Sequence, residues 1–142
     1  MKTKSIIIGI IVLLVDQISK IIMINKKITL IPGFLSLNYI ENTGGAFGMG
    51  KINIVLILSL VLIIGIIVFL IKQKNKINNY TPYIVIIAGS VGNLIDRIFR
   101  GYVIDFIDIN VFNFPTFNIA DIFITFGIIY LIINILFKCK KL

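Results

Sequence analysis

Residues 117–137 read FNIADIFITFGIIYLIINILF, an apolar run that carries Asp121 near its start. A helix rises about 1.5 Å per residue, so roughly 20 apolar residues cross the hydrocarbon core of a bilayer. Shortly upstream, GYVIDFIDI places Asp105 and Asp108 in another apolar stretch. Carboxylates near hydrocarbon are costly and usually have a function. The run therefore predicts a membrane-spanning helix with a polar site near its start.

Three more apolar segments of similar length precede this run. We predict an integral membrane, mainly α-helical fold with four transmembrane helices at about 5–24, 52–71, 82–99 and 119–137. The chain has 142 residues, of which 58% are apolar, so we predict a single membrane domain over 1–142. The N-terminus resembles a secretory signal, but no cleavage site of small residues follows, and we expect the first helix to be retained.

Basic residues predict the orientation. Eight lysines lie before the first span, between the second and third, and after the fourth: Lys2, Lys4, Lys72, Lys74, Lys76, Lys138, Lys140 and Lys141. Five basic residues lie on the other side: Lys26, Lys27, Lys51, Arg97 and Arg100. The positive-inside rule then places both termini in the cytoplasm. We attribute the net charge of +8 to topology and to contact with membrane phospholipid, and we expect no nucleic-acid partner.

The two predicted external segments are 25–51 and 100–118. In the first, FLSLNYI alternates apolar and polar residues, which indicates a β-strand. The second contains NVFNFPTF, which is rich in aromatic residues and broken by Pro115. We expect both segments to lie on the membrane surface.

Four acids fall on the external side at similar depth: Asp96, Asp105, Asp108 and Asp121. Two carboxylates that face each other share a proton, and such a pair can activate water and protonate a scissile carbonyl, as in aspartic proteases. The chain has no histidine and one cysteine, which excludes Ser-His-Asp and Cys-His machinery and leaves no plausible zinc site. A carboxylate pair needs none of these groups and therefore suits this chain, and we expect no metal or other cofactor.

Each acid also has a structural explanation. Asp121 suits the positive end of a helix dipole, and Asp108 reads as a solvated acid at the interface. Asp96 and Arg100 are four residues apart and can pair on one helix face. For any single acid the structural explanation is preferable, but the desolvation cost of a whole cluster favours a function.

Asp16 and Lys20 are also four residues apart and lie in the outer half of the first span. One interpretation is a self-neutralising pair, with the Lys20 side chain extending outward. The other is a support for the external site. We favour structural support, with a lipid contact of Lys20.

Five short blocks together resemble the bacterial lipoprotein signal peptidases, also called signal peptidase II. They appear in the family's order and cover nearly the whole chain: DQISK (16–20), NTGGAFG (42–48), GNLIDR (92–97), GYVIDF (101–106) and FNIAD (117–121). The resemblance implies that Asp105 and Asp121 are the catalytic pair. It also implies that the following residues shape or support the site: Asn42, Gly44, Asn93, Asp96, Arg97, Asn118, Asp16 and Lys20.

The resemblance further implies a substrate and a location. The substrate would be a prolipoprotein whose cysteine carries diacylglycerol, cut just before that cysteine, at the outer face of the bacterial cell membrane by a monomer. Segment 25–51 would form a small β-sheet on the membrane, and 100–118 would contain a helix. The chain departs from the family in having Gly45 where alanine is common, and in having no tryptophan.

Three other functions fit parts of the sequence. A proton-coupled transporter would use intramembrane carboxylates, but it needs an acid accessible from both sides. A Ser-Lys peptidase would pair Ser19 with Lys20, although adjacent residues point to different sides of a helix. A purely structural membrane protein leaves the acid cluster unexplained.

Overall fold

The computed structural model describes residues 2–44, 52–111 and 114–139. It contains four long helices, α1 (Lys2–Met23), α2 (Ile52–Lys72), α3 (Thr81–Phe99) and α4 (Ile119–Cys139). Each is long and apolar enough to cross a membrane. The four predicted spans are therefore confirmed, with ends that differ by at most three residues.

A small antiparallel sheet lies at one end of the bundle. Its strands are β1 (Lys27–Ile31), β2 (Leu35–Asn42) and β3 (Val103–Ile109), in the order β1-β2-β3. β1 and β2 follow α1, with Gly33 in the turn at φ +72°, a conformation that favours glycine. β3 connects α3 to α4. We call this end the site end, and the opposite end, which holds the start of α1, the end of α4 and the α2–α3 connection, the terminus end.

The strand predicted in FLSLNYI is confirmed as β2, but the expectation of a helix within 100–118 is wrong. Among the described residues of that segment there is a strand, β3, and no helix. The sequence VIDFIDI is rich in β-branched residues, and β2 offers a partner, with Ile40 opposite Asp105 and Ser36 opposite Asp108. The sheet is therefore built from both external segments.

α3 is the central helix of the bundle. In the most apolar stretch of α3, 44% of the residues are buried, whereas in the corresponding stretch of α2 the buried share is 6%. Small residues on α3 let its neighbours approach closely: a Cβ at Gly89 would lie 2.8 Å from the carbonyl oxygen of Ala120, and one at Gly92 would contact the carboxylate of Asp16. The start of α4 is thus held tightly against α3.

We expect Gly89→Ala to lower the stability of the protein by about 1–3 kcal/mol, because the new methyl group would push against α4 backbone that cannot move freely. Gly65→Ala on α2 is the matched control, since a Cβ there meets nothing within 4 Å, and alanine favours the helix. Thermal unfolding in detergent measures both. Equal melting temperatures for the two variants would contradict the proposed close packing.

Candidate active site

Asp105 and Asp121 line one cavity at the site end, of about 390 Å³. Asp105 is on β3, where it is 2% exposed, and Asp121 is in the first turn of α4. The wall is completed by residues from β2, α3, β3, the segment before α4, and α4 itself: Asn42, Asn93, Arg97, Val103, Phe114, Pro115, Thr116, Phe117, Ile122, Thr125 and Phe126. Two acids 16 positions apart in the sequence thus face the same space.

Asn118 links the two carboxylates. Its side-chain amide donates to Asp105 Oδ1 at 2.7 Å, and its backbone N–H donates to Asp121 Oδ2 at 3.2 Å. The N–H of Asp121 in turn donates to Asn118 Oδ1 at 3.1 Å. This reciprocal pairing is a helix capping box. The cap that starts α4 therefore also sets the position of one acid relative to the other.

The remaining carboxylate oxygens are held by two other asparagines. Asn42 donates to Asp105 Oδ2 at 2.8 Å, and its own Oδ1 accepts the N–H of Gly44 at 3.0 Å. Asn93 donates to Asp121 Oδ1 at 2.8 Å. Each of the four carboxylate oxygens of the pair therefore accepts an amide hydrogen bond.

Lys20 lies behind this layer, fully buried at 0% exposure. Its ammonium contacts Asp16 Oδ2 at 2.8 Å and Asp96 Oδ2 at 2.9 Å, and it donates to Asn93 Oδ1 at 2.8 Å. The predicted pair of Asp16 and Lys20 forms, but the expectation that Lys20 extends outward to lipid is wrong. Three polar partners hold the ammonium between α1 and α3, and Asp16 is also 0% exposed.

Sequence reasoning missed several members of this network. Gln17 Nε2 lies 3.1 Å from Asp16 Oδ2 and 3.2 Å from the carbonyl oxygen of Gly92. The N–H of Ala120 donates to Asp16 Oδ1 at 2.9 Å, which ties α1 to the start of α4. Only the position of Gln17 beside Asp16 in DQISK was a signal for its role. The predicted pairing of Asp96 with Arg100 is present.

Arg97 and Asp108 have different positions relative to the cavity. Arg97 lines it, and its guanidinium donates to the carbonyl oxygen of Asn93 at 3.3 Å and contacts Ser59 Oγ on α2 at 3.5 Å. Asp108 belongs to a separate polar cluster on the sheet, where it accepts from Asn38 at 2.7 Å and from Ser36 at 3.3 Å. Of the four clustered acids, Asp108 is therefore the one outside the network around the cavity.

Burial raises the pKa of Asp105 to about 6. The hydrogen bond from Asn42 lowers this pKa, the nearby charge of Asp121 raises it, and Asn118 and Lys20 lower it. A carboxyl with this pKa takes up and releases protons close to neutral pH, which suits general acid–base chemistry.

The other sequence hypotheses gain no support from the geometry. Ser19 donates to the carbonyl oxygen of Asp16 at 2.8 Å, whereas the Lys20 ammonium is directed to its buried partners, so the two do not form a Ser-Lys pair. No acid occurs in 42–95 or 122–142, which leaves the terminus half of α2, α3 and α4 without a carboxylate for transport. Gly45 lies outside the described residues.

Comparison with known proteins identifies close similarity along almost the whole chain. The family model described as signal peptidase (SPase) II matches residues 8–137. The lipoprotein signal peptidase of Caldicellulosiruptor bescii is 39% identical over 127 residues, covering 85% of this chain and 83% of that protein. The one from Staphylococcus haemolyticus is 36% identical over 144 residues, covering 94% and 91%. A solved bacterial membrane enzyme superposes with a TM-score of 0.84 at 32% identity, covering 98% of this chain and 91% of the other.

Proposed function

The chain belongs to the signal peptidase II family, and we propose that it is a membrane aspartic endopeptidase that removes signal peptides from prolipoproteins. The proposed cut lies immediately before a cysteine that already carries diacylglycerol. The observation that carries the proposal is the arrangement of Asp105 and Asp121 in one cavity, with every carboxylate oxygen held by an amide donor. We assign these two residues as the catalytic pair.

In the proposed reaction the pair holds one proton between its two carboxyl groups. The ionised carboxylate removes a proton from water as the water oxygen attacks the scissile carbonyl carbon, while the protonated carboxyl gives its proton to the carbonyl oxygen. Collapse of the tetrahedral intermediate breaks the C–N bond. The amino group of the cysteine leaves with a proton from the pair, and one hydroxyl of the intermediate returns its proton to the pair as it becomes the new carbonyl. The new carboxyl group stays on the signal peptide.

The surrounding residues fix the geometry of this chemistry. Asn42, Asn93 and Asn118 hold the two carboxylates, while Lys20, Asp16 and Asp96 form the charged layer that orients Asn93. Arg97 gives the cavity a positive charge near the substrate backbone. Because all these groups come from a single chain, we propose that a monomer is active.

A lipid anchor on the substrate explains how the scissile bond reaches the cavity. The cavity lies at the site end of the bundle, and we propose that this end faces the outer side of the bacterial cell membrane, with both termini in the cytoplasm. A diacylglyceryl group would hold the cysteine at the same membrane depth as the pair, which lowers the entropic cost of positioning the bond.

The experiment that tests this function compares a diacylglyceryl-modified prolipoprotein with its unmodified form. Purified protein in nanodiscs is given each substrate, and cleavage is followed by gel shift. We expect kcat/KM to be higher for the lipidated form by about a hundredfold or more, since the lipid anchor then holds the scissile bond at the membrane depth of the pair. Equal cleavage of both forms would refute the substrate assignment, and no cleavage by folded protein would refute the function.

We expect the Asn42→Ala variant to move the alkaline limb of the pH–activity profile upward. Asn42 donates to the ionised form of Asp105 and so lowers its pKa. Loss of this donor raises that pKa by about one pH unit, as hydrogen bonds to charged groups contribute about 1.5–3 kcal/mol and this one is only partly buried. The pair then keeps its shared proton to higher pH.

The measurement is kcat/KM across pH 4–9 for the wild type and two variants. Asn38→Ala is the matched control, because Asn38 is on the same strand but donates to Asp108. An alkaline limb near pH 6 in the wild type that moves upward only in Asn42→Ala is the expected result. A limb that stays in place, or moves equally in the control, would contradict the role of Asp105.

A further inference from the structure

A second groove lies at the terminus end, between α2 and α4, with α3 as its floor. Its apolar part has a volume of about 540 Å³ and its mouth a volume of about 370 Å³. The two share Phe69, Tyr83, Leu131 and Asn134, so they form one continuous groove. Both volumes fall in the range of roughly 300–1,000 Å³ that is typical of sites for small molecules.

The inner part of the groove offers space to an apolar chain. Gly65 lines it, and a Cβ at Gly65 would meet nothing within 4 Å. The rings of Phe69 and Tyr83, with centroids 5.6 Å apart, join the α2 wall to the floor. Val61, Leu62 and Ile135 add only hydrocarbon. A flexible acyl chain fits such a lining.

The mouth carries hydrogen-bond donors and a positive charge. Lys76 lines it beside Gln73 and Asn79, and the Lys76 side chain is exposed. Asn79 donates to the hydroxyl oxygen of Tyr130 at 3.2 Å, which leaves the hydroxyl hydrogen to donate elsewhere. These groups can bind phosphate oxygens.

The charge of this end has no counterpart within the protein. All six acids of the chain lie within residues 16–41 and 96–121, whereas Lys72, Lys74 and Lys76 lie at the end of α2 and in the α2–α3 connection. An anionic headgroup is the complementary partner for such a surface.

We propose that this groove binds one anionic diacyl phospholipid of the leaflet at the terminus end, with its phosphate at Lys76 and Tyr130 and one acyl chain along Gly65. The site is separate from the Asp105–Asp121 cavity, since Tyr83 and Arg97 are 14 residues apart on α3, or about 21 Å along the helix. A substrate signal peptide fits the mouth poorly, because its basic N-terminal region would meet the lysines of the α2–α3 connection.

The test uses native mass spectrometry of the purified full chain in detergent with phosphatidylglycerol or phosphatidylcholine added at equal concentration. We expect phosphatidylglycerol to be retained about fivefold more, the effect of one lysine near an anionic headgroup. Lys76→Gln should remove this preference. Lys74→Gln is the matched control, because it removes the same charge from the same connection at a residue outside the groove lining.

A second variant tests the acyl-chain part. Gly65→Leu fills the groove without meeting other atoms at its Cβ, and it should reduce retention of phosphatidylglycerol while the melting temperature without lipid stays unchanged. Equal retention of both lipids by the wild type, or an equal loss in Lys76→Gln and Lys74→Gln, would overturn the proposal. So would a Gly65→Leu variant that retains phosphatidylglycerol but cleaves substrate more slowly, which would assign the groove to the substrate helix.

Discussion

Asp105→Asn and Asp121→Asn are each expected to slow cleavage of a lipidated prolipoprotein by at least about 10⁴-fold, because each removes a group that, in the proposed reaction, transfers protons in both halves. An asparagine can neither accept the proton of water nor share one with the other carboxyl. The double variant should be no slower than either single variant, since the two groups act as a unit. Single-turnover cleavage measured by gel shift gives these rates.

Asp108→Asn is the matched control for this prediction. Asp108 is on the same strand as Asp105, three residues on, but it accepts hydrogen bonds from Ser36 and Asn38 and does not line the cavity. We expect activity within about twofold of wild type and an unchanged fold, as for most substitutions outside a key network. Near-wild-type activity in either catalytic variant, or equal inactivity in Asp108→Asn, would refute the assignment.

The Asp→Asn variants should remain folded. Asp105 accepts from Asn42 on one oxygen and from Asn118 on the other, so an asparagine keeps one of these bonds and turns its NH₂ group toward the second donor. That loss is offset by the removal of a buried negative charge, whose desolvation is the main cause of the raised pKa. Melting temperatures close to wild type would show that lost activity reflects lost chemistry.

The helices could be predicted from the sequence because hydropathy and length determine membrane spans almost by themselves. The third strand could not. Five of the seven residues of VIDFIDI are apolar, so its composition alone does not distinguish a strand from part of a span, and its partner in β2 lies more than 60 residues away. Once Val103–Ile109 is known to be a strand, the division between Asp105 and Asp108 follows, since residues an odd number apart point to opposite faces. The sequence alone therefore predicted one cluster of four acids, whereas in the fold Asp108 lies apart from the other three.

The parts of the site whose interactions are local in the chain could be predicted from the sequence. Asn118 and Asp121 have the spacing of a capping box, and Asp16 and Lys20 the spacing of a helical pair. The burial of Lys20 could not be predicted from the sequence, because its other two partners, Asn93 and Asp96, lie on α3 and reach it only through helix packing. Because of these long-range contacts, the Asp16–Lys20 pair is buried between the helices, whereas the sequence had suggested that Lys20 extends outward.

Lys20→Met is expected to lower the free energy of unfolding by about 3–5 kcal/mol, because it leaves two buried carboxylates without their shared cation. Asp96 keeps Arg100, and within the described part of the chain Asp16 keeps only the donors Gln17 and the Ala120 N–H. The melting temperature in detergent should fall by about 10 °C or more. Lys26→Met is the matched control, since Lys26 is exposed and should change little.

A second variant distinguishes charge balance from packing. Lys20→Gln combined with Asp16→Asn removes one charge of each sign and keeps hydrogen-bonding groups at both positions, so it should recover more than half of the lost stability. It should not restore activity, because Lys20 holds the oxygen of Asn93 and thereby turns the Asn93 NH₂ group toward Asp121. A neutral amide at position 20 holds that oxygen less firmly than an ammonium does. A double variant that is both stable and fully active would show that Lys20 only balances charge, and an equally unstable one would show that its packing, rather than its charge, holds α1 against α3.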